Sequence, residues 1–210
     1  DRSPSRGLGD VYKRQLIDRV AEISKRCGAF SSRVSQTEEE RLSFWAGRKA
    51  AFPAVGRISP DYYCIDGTIP RARLPEVLRK MTDMCDKHGL RVANVFHAGD
   101  GNLHPLILYD AGAPGELQKA EEFGADILSL CVEVGGVLTG EHGVGVEKRD
   151  LMGKMFNDID LKQQQRVKCA FDPESLLNPG KVFPTLHRCS ELGHMHVHKG
   201  NIPFPDLPRF

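Results

Sequence analysis

The spacing of apolar positions predicts helices over the first quarter of the chain. Residues 16–27 place apolar side chains three and four positions apart, as one face of a helix requires. Residues 37–52 show a second helical pattern, with Thr37 and Glu40 in the spacing of a capping box. We expect Pro53 to end this second helix.

Strand and helix patterns then alternate from residue 61 to residue 142. Strand-like stretches occupy residues 61–70, 90–99, 102–110 and 136–143, and helical stretches occupy residues 74–89, 114–136, 146–156 and 158–171. Up to residue 142 the order is β-α-β-β-α-β, which is typical of a ferredoxin-like fold. We therefore predict the α+β class, with an antiparallel sheet that carries two helices on one face, followed by a C-terminal helical segment.

These patterns divide the chain into four stretches. Residues 1–15 have no periodicity and no initiator Met, so we interpret them as a non-native junction, with a native linker as the alternative. Residues 16–142 are predicted to form one domain, and residues 143–187 the C-terminal helical segment. Residues 188–210 form a polar, proline-rich tail that suits a subunit contact.

Composition narrows the possible classes of function. A hydrophobic fraction of 40% is enough for a core, and no apolar run reaches the ~18 residues of a membrane span. With 29 basic and 28 acidic residues, the chain lacks the basic excess of a nucleic-acid-binding protein. Its six cysteines include no C-x-x-C pair, which favours reduced thiols in a cytosolic protein over a disulfide framework or a thiolate metal site.

A glycine-rich turn between two histidines carries the first candidate chemistry. In NVFHAGDGNLHP, a loop over residues 99–102 would set His97 directly opposite His104 on adjacent strands. Opposed residues have Cβ atoms about 4.5–5.5 Å apart on one face, so the two imidazoles could share a metal ion. Asp100 could accept a hydrogen bond from one ring. The alternative is a hairpin with two surface histidines.

The stretch TGEHGVG adds a third candidate ligand. Glu141 and His142 lie in a glycine-rich loop, where both side chains can face the hairpin. Two histidines and a carboxylate that leave coordination positions open are typical of a catalytic metal site. A solvated loop is the alternative, and we expect the following Lys148 and Arg149 to be solvated.

Other charged or histidine-rich positions have ordinary explanations. Arg71 and Arg73 flank the start of a helix, where surface charge is expected. His194, His196 and His198 alternate in HMHVH, and we favour a subunit contact there over a metal site.

Four stretches carry a resemblance to a known family: FWAGRKAAFPAVGRISPDYYCIDGTIPRARLPEVL, RVANVFHAGDGNLHPLILYD, GGVLTGEHGVGVEKRDLM and AFDPESLLNPGKVFPTLHRC. They resemble the C-terminal half of the FAD-linked 2-hydroxyacid oxidases, in the vanillyl-alcohol-oxidase flavoprotein superfamily. Within this family the chain is most similar to the FAD-linked subunit of bacterial glycolate oxidases. The resemblance implies that residues 16–142 are an N-terminally truncated substrate (cap) domain, and that FAD is bound mainly by an N-terminal domain outside this chain. This fragment alone would then be inactive.

The resemblance also implies roles for individual residues. The ligands of a divalent Zn, Mn or Fe ion would be His97, His104 and Glu141. His142 would accept a proton, Arg48 would bind the substrate carboxylate, and Asn178 would lie near the flavin. Each has an ordinary alternative, namely a loop residue for His142, a solvated helix residue for Arg48 and a turn residue for Asn178.

Two departures bear on the substrate. Relatives that act on larger dicarboxylic acids have a Thr and a Lys where this chain has Phe52 and Cys64. Both changes remove a polar partner for a second carboxylate. The resemblance therefore implies oxidation of glycolate, with D-lactate as a further substrate, by hydride transfer to FAD.

The resemblance further implies partners and a location. The partners would be a second flavin-type subunit and an iron–sulfur subunit of a glycolate oxidase complex. The location would be the cytoplasm, with peripheral attachment to the inner membrane through those subunits. Two readings of another class stay open at this point: a standalone metal-dependent hydrolase, and a noncatalytic metal-binding or partner-binding module.

Overall fold

The computed structural model describes residues 4–184. The helices are α1 (Pro4–Arg26), α2 (Glu38–Lys49), α3 (Ala51–Val55), α4 (Leu74–His88), α5 (Glu116–Glu133), α6 (Met152–Met155) and α7 (Asp158–Phe171). The strands are β1 (Asp61–Cys64), β2 (Gly67–Thr68), β3 (Arg91–His97) and β4 (Asn102–Tyr109). Two 3₁₀ turns cover Arg71–Arg73 and Arg149–Leu151. The predicted helix over residues 146–156 is thus a 3₁₀ turn followed by the short α6.

The chain divides into two compact units between Ala54 and Val55. The first unit holds α1, α2 and most of α3, and the second holds the whole sheet. This division does not test the predicted boundaries at residues 15, 142 and 187, which stay predictions. The predictions for residues 188–210, including the three histidines of HMHVH, concern a part of the chain outside the described residues.

The first unit departs from its helical pattern at two places: α1 begins at Pro4 instead of residue 16, and the second departure lies at Pro53. Thr37 caps α2 as predicted, since its side chain accepts a hydrogen bond from the Glu40 N–H. Pro53 was expected to end the helix, and this prediction is wrong, because the helix breaks earlier at Ala50 and Pro53 lies within α3. Proline is tolerated in the first turn of a helix, where its missing N–H would have no intrahelical acceptor.

The sheet of the second unit has the predicted antiparallel, ferredoxin-like arrangement. Strand β4 lies at its centre, with β3 along one edge and β1 and β2 in succession along the other. The predicted fourth strand is reduced to a single bridge between Thr68 and Val137. The α+β class is therefore confirmed, with a last strand shorter than its sequence pattern suggested.

One face of the sheet packs against α4 and α5. The core under these helices includes Leu103 and Ile107 of β4, together with Met81 and Phe123, all nearly inaccessible to solvent. Side chains alternate between the two faces of a strand. Asn102 and His104 therefore point to the opposite face, away from the helices.

The structure also bears on the predictions about the cysteines and about membrane-spanning segments. Cys27, Cys64, Cys85 and Cys131 are free, as expected, but Cys169 is disulfide-bonded, so the prediction of reduced cysteines is wrong for that residue. Within the described residues, no helix has both the length and the apolar character needed to cross a membrane.

Candidate functional site

The two hairpin histidines lie side by side, although not in the predicted register. His97 pairs with Asn102, and His104 pairs with Val95, so the turn covers residues 98–101 instead of 99–102. The turn closes through hydrogen bonds from the N–H groups of Asp100 and Gly101 to the His97 carbonyl, with Gly101 at φ 74°. The register differs from the prediction by two positions, which keeps both rings on one face. Their centroids are 5.4 Å apart.

Glu141 joins the histidines from the loop that follows the Thr68–Val137 bridge. Its Oε1 lies 2.9 Å from Nε2 of His104. One candidate ligand atom from each of His97, His104 and Glu141 lies within 4.8 Å of the other two. Two ligands of one tetrahedral ion, each about 2.1 Å from it, would lie about 3.4 Å apart. The 2.9 Å between Nε2 of His104 and Oε1 of Glu141 is a hydrogen-bond distance, about 0.5 Å shorter than that spacing.

The surroundings of His104 suit a metal ligand. Its side chain is buried, and burial lowers the pKa of the ring below its ordinary value, while Glu141 acts in the opposite direction. The ring is therefore neutral at pH 7, which is the form that binds metals. Its Nδ1 has no hydrogen-bond partner among the described residues. Among the described residues, His104 does not make the predicted hydrogen bond to Asp100. The amide nitrogen of Asn102 lies 3.5 Å from its other ring nitrogen, Nε2.

His142 approaches the same cluster beside Glu141. Its ring centroid is 5.2 Å from that of His104, and about half of its side-chain surface is exposed. Neighbouring residues of a regular strand would point to opposite faces. Here the backbone has left the ladder, so Glu141 and His142 both face His104.

A buried carboxylate, which the sequence reasoning missed, holds this loop. Asp66 lies between β1 and β2 and is 0% exposed. Its Oδ2 accepts hydrogen bonds from three successive N–H groups, those of Gly140 (2.8 Å), Glu141 (2.6 Å) and His142 (2.9 Å). A lone aspartate within the apolar strand pattern YYCIDGTI was the available signal, because buried charges require partners.

Lys148 is the charged partner of Asp66. The prediction that Lys148 is solvated is wrong, since it is 2% exposed and its ammonium contacts the Asp66 carboxylate. Burial lowers the pKa of Lys148 to about 8, which still leaves it mostly protonated at pH 7. Arg149, which was also expected to be solvated, is only partly exposed and donates to the Gly180 carbonyl at 3.0 Å.

The remaining candidates lie elsewhere in the chain. Arg48 is on α2, in the first unit, so its part in the site stays a prediction. Asn178 is exposed and has φ 46°, a left-handed conformation common in turns. Arg73 pairs with Glu76 at the surface, as expected, and Arg71 donates to the Gly99 carbonyl of the histidine turn at 3.3 Å.

Known proteins are similar to most of this chain. A family model described as "FAD linked oxidases, C-terminal domain" matches residues 8–182. Glycolate oxidase subunit GlcD of Escherichia coli K12 is 61% identical over 193 residues, which make up 92% of this chain and 39% of that protein.

More distant relatives carry two kinds of name. Glycolate oxidase subunit GlcD of Bacillus subtilis is 34% identical over 80% of this chain and 36% of its own length. A D-lactate dehydrogenase of Archaeoglobus fulgidus is 36% identical over 80% of this chain and 37% of its own length. This chain therefore spans well under half the length of these curated relatives.

Proposed function

Because the chain belongs to the FAD-linked oxidases, whose C-terminal domain it matches, we propose that it forms the substrate side of a flavin-dependent 2-hydroxyacid dehydrogenase. The proposed substrate is glycolate, with D-lactate as a second, and the product is the 2-oxo acid. The names of the relatives, glycolate oxidase subunit and D-lactate dehydrogenase, support this choice. Phe52 and Cys64 add to it, since neither offers a charge to a second carboxylate.

The proposed metal ligands are His97, His104 and Glu141, and the observation that carries the proposal is their convergence. The hairpin and the Glu141 loop are more than 30 residues apart in the chain, yet Oε1 of Glu141 meets Nε2 of His104 at 2.9 Å. A neutral, buried imidazole whose Nε2 lies beside a carboxylate is a donor set that suits a divalent ion such as Zn, Mn or Fe. Such an ion would lower the pKa of a substrate hydroxyl by several units.

His142 and Arg48 are the proposed catalytic residues. Oxidation of a 2-hydroxy acid removes the hydroxyl proton and transfers the C2 hydrogen, as hydride, to FAD. His142 could accept that proton, because its ring lies beside the proposed metal ligands and imidazole is a common general base. Arg48 would hold the substrate carboxylate through two parallel hydrogen bonds and so fix the orientation of C2.

The remaining parts of the proposal concern FAD and partner subunits. Asn178 is the residue proposed to lie beside the flavin, and its exposure leaves it accessible. Because the matched segment is a C-terminal domain, we propose that the FAD-binding region is a different part of the enzyme, and that these 210 residues alone neither hold FAD tightly nor turn over. The name of the relative as a subunit supports a multi-subunit complex. We propose a second flavin-type subunit and an iron–sulfur subunit as its other members. Cytoplasmic location, with attachment to the inner membrane through those subunits, stays part of this proposal.

The two readings of another class find less support. A hydrolase could use the same ligand set, but the family described for residues 8–182 is one of FAD-linked oxidases. A noncatalytic module would not require a proton acceptor such as His142 within 5.2 Å of the His104 ring centroid.

A ligand variant of the complete enzyme tests the metal. His97→Ala should lose the bound divalent ion and most of the turnover of glycolate with a dye acceptor, because one of three ligands is removed. The matched control is His88→Gln, since His88 lies on α4 and bonds to Asp126 on the helical face of the sheet. Full metal content and full activity in His97→Ala would remove that residue from the site.

A substrate panel tests the chemistry. The complete enzyme should oxidise glycolate and D-lactate with kcat/KM values within about 200-fold of each other, because an apolar pocket discriminates weakly against one methyl group. D-2-hydroxyglutarate should be a poor substrate. A clear preference for the dicarboxylic acid would contradict the proposed substrate.

A further inference from the structure

We propose that Asp66, together with Lys148, is the positioning residue that sets Glu141 and His142 against the histidine hairpin. This inference rests on the function proposed above, since it concerns the same site. Asp66 itself would touch neither metal nor substrate. Its role would be to fix the backbone from which a metal ligand and the proton acceptor project.

Three hydrogen bonds to one oxygen define the place of the loop. Oδ2 of Asp66 accepts from the N–H groups of Gly140, Glu141 and His142 at 2.6–2.9 Å. Convergence on one acceptor leaves the backbone of these residues little freedom to rotate. The side chains of Glu141 and His142 therefore leave the backbone in fixed directions.

The backbone hydrogen bonds of the sheet end before the loop segment that bonds to Asp66. Val137 still exchanges two backbone hydrogen bonds with Thr68, at 3.1 and 2.8 Å. Further along, the four consecutive N–H groups from Gly140 to Gly143 bond instead to side chains, three to Asp66 and the last to the Thr139 hydroxyl at 2.8 Å. The Thr139 hydroxyl also lies 3.1–3.2 Å from both Asp66 oxygens. Asp66 thus replaces the strand partner that a continued strand would have had.

Lys148 makes a buried carboxylate tolerable at this place. Its ammonium contacts Oδ1 of Asp66 and donates to the Asp66 carbonyl at 3.0 Å. A carboxylate that is 0% exposed needs both hydrogen bonds and an opposite charge to stay ionised. Because Lys148 follows the loop closely in sequence, the pair fixes the chain on both sides of Glu141 and His142.

The same carboxylate also faces the ring of His142. Oδ1 of Asp66 lies 3.5 Å from Nδ1 of His142. A negative oxygen near Nδ1 favours the tautomer that carries its proton there, which leaves Nε2 free to accept a proton from substrate. Asp66 would therefore influence both the place and the tautomer of the proton acceptor.

Asp66→Asn in the complete enzyme tests this role. The amide keeps one oxygen for the loop N–H groups but turns a donor toward the Lys148 ammonium. We expect the affinity for added Mn²⁺ to fall by about 10- to 100-fold, the range seen when a residue that orients a metal ligand is lost. kcat should fall more than KM for glycolate rises, because Asp66 does not contact substrate. The amides of Gly140, Glu141 and His142 should exchange their hydrogens at least tenfold faster.

Asp172→Asn is the matched control. Asp172 is also buried, contacts Lys168, and accepts hydrogen bonds from the N–H groups of Leu176 and Leu177 at 2.8 and 3.0 Å. Its loss should destabilise its own loop and leave Mn²⁺ affinity within twofold of the wild type. An equal loss of affinity in both variants would mean that general destabilisation is the cause, and would overturn the role proposed for Asp66.

A double variant keeps the test decisive if Asp66→Asn folds poorly. In Asp66→Asn/Lys148→Gln, the glutamine oxygen can accept from the asparagine amide, so a neutral pair replaces the buried charges. We expect this pair to regain at least part of the Mn²⁺ affinity lost in Asp66→Asn. Wild-type affinity in Asp66→Asn, or faster amide exchange without loss of affinity, would overturn the inference. If the wild-type enzyme itself binds no divalent ion, the proposed function fails, and the exchange rates alone decide whether Asp66 fixes the loop.

Discussion

The histidine hairpin and the Thr139–Gly143 loop bring their side chains to one candidate site, but they are held in different ways. The hairpin belongs to the sheet, where β3 and β4 pair over seven consecutive positions from Arg91–Leu108 to His97–Asn102. The loop follows a single bridge at Val137, and its N–H groups bond to the side chains of Asp66 and Thr139.

The hairpin is positioned by residues close to it in sequence, whereas the loop is positioned by a side chain that is distant in sequence. In the hairpin, the backbone ladder alone sets His97 and His104 on one face, whatever the neighbouring side chains are. In the loop, the buried Asp66 carboxylate, which is paired with Lys148, accepts the backbone N–H hydrogen bonds that a neighbouring strand would otherwise accept. The loop should therefore respond to single substitutions that the hairpin would tolerate.

Gly140→Ala should produce the largest loss of contact between the two regions. A Cβ on Gly140 would lie 2.2 Å from Oδ1 of Asn102 and 2.6 Å from Oγ1 of Thr68, which forces the loop and the hairpin apart. We expect a cost of about 1–3 kcal/mol in the free energy of unfolding, as for other overpacked sites, together with weaker metal binding.

Gly153→Ala serves as the control for that variant. Apart from its own helix and chain neighbours, nothing among the described residues lies within 4 Å of a Cβ built on Gly153, so the change should be neutral or stabilising. Denaturant unfolding measures both variants. Equal stability and equal metal affinity in Gly140→Ala and the wild type would show that the close approach is not required.

Acidification should weaken the hairpin through His104. Burial lowers the pKa of His104 below 6.5, so between pH 6.5 and its folded pKa the unfolded chain binds the proton and the folded chain does not. The contribution of His104 to stability is therefore complete above pH 6.5 and is lost as the pH falls through that window, at up to ~1.4 kcal/mol per pH unit.

The measurement is the free energy of unfolding of metal-free protein between pH 7.5 and pH 5. His104→Gln should show a shallower decrease than the wild type, because glutamine does not titrate. Parallel curves for the two proteins would mean that folding does not change the pKa of His104.

Thr139→Val should have the smallest effect of the three. The hydroxyl of Thr139 contacts Asp66 and accepts from the Gly143 N–H, and valine keeps its shape without those bonds. We expect a cost of about 1 kcal/mol. Thr82→Val is the control, since the Thr82 hydroxyl is exposed and only donates to the Leu78 carbonyl of its own helix. A cost no greater than that of the control would show that the Thr139 hydroxyl does not hold the loop.

The histidine hairpin and the order of the strands in the sheet could be predicted from the sequence. Strand patterns repeat every two residues, so an error of two positions in the predicted register still set His97 and His104 on one face. The glycine-rich turn fixed where the chain reverses, but not which residues close it. The helix break at Ala50 was missed because Pro53 fits inside a first helical turn.

The contacts of Asp66 that hold the loop could not be predicted from the sequence. Asp66 bonds to the Glu141 N–H across 75 positions and to Lys148 across 82. No periodicity links residues at such separations, and lysine is rarely buried, so Lys148 was expected to face solvent. By contrast, Lys168 and Asp172 lie four positions apart around the end of one helix, a spacing at which side chains regularly meet.

The central claim is that His97, His104 and Glu141 hold one divalent ion. The most direct measurement is an anomalous difference map from crystals of the complete enzyme supplied with Zn²⁺. We predict one peak at about 2.0–2.2 Å from a nitrogen of each histidine and an oxygen of Glu141. A map without a peak at these residues, with Glu141 turned away from both rings, would contradict the claim.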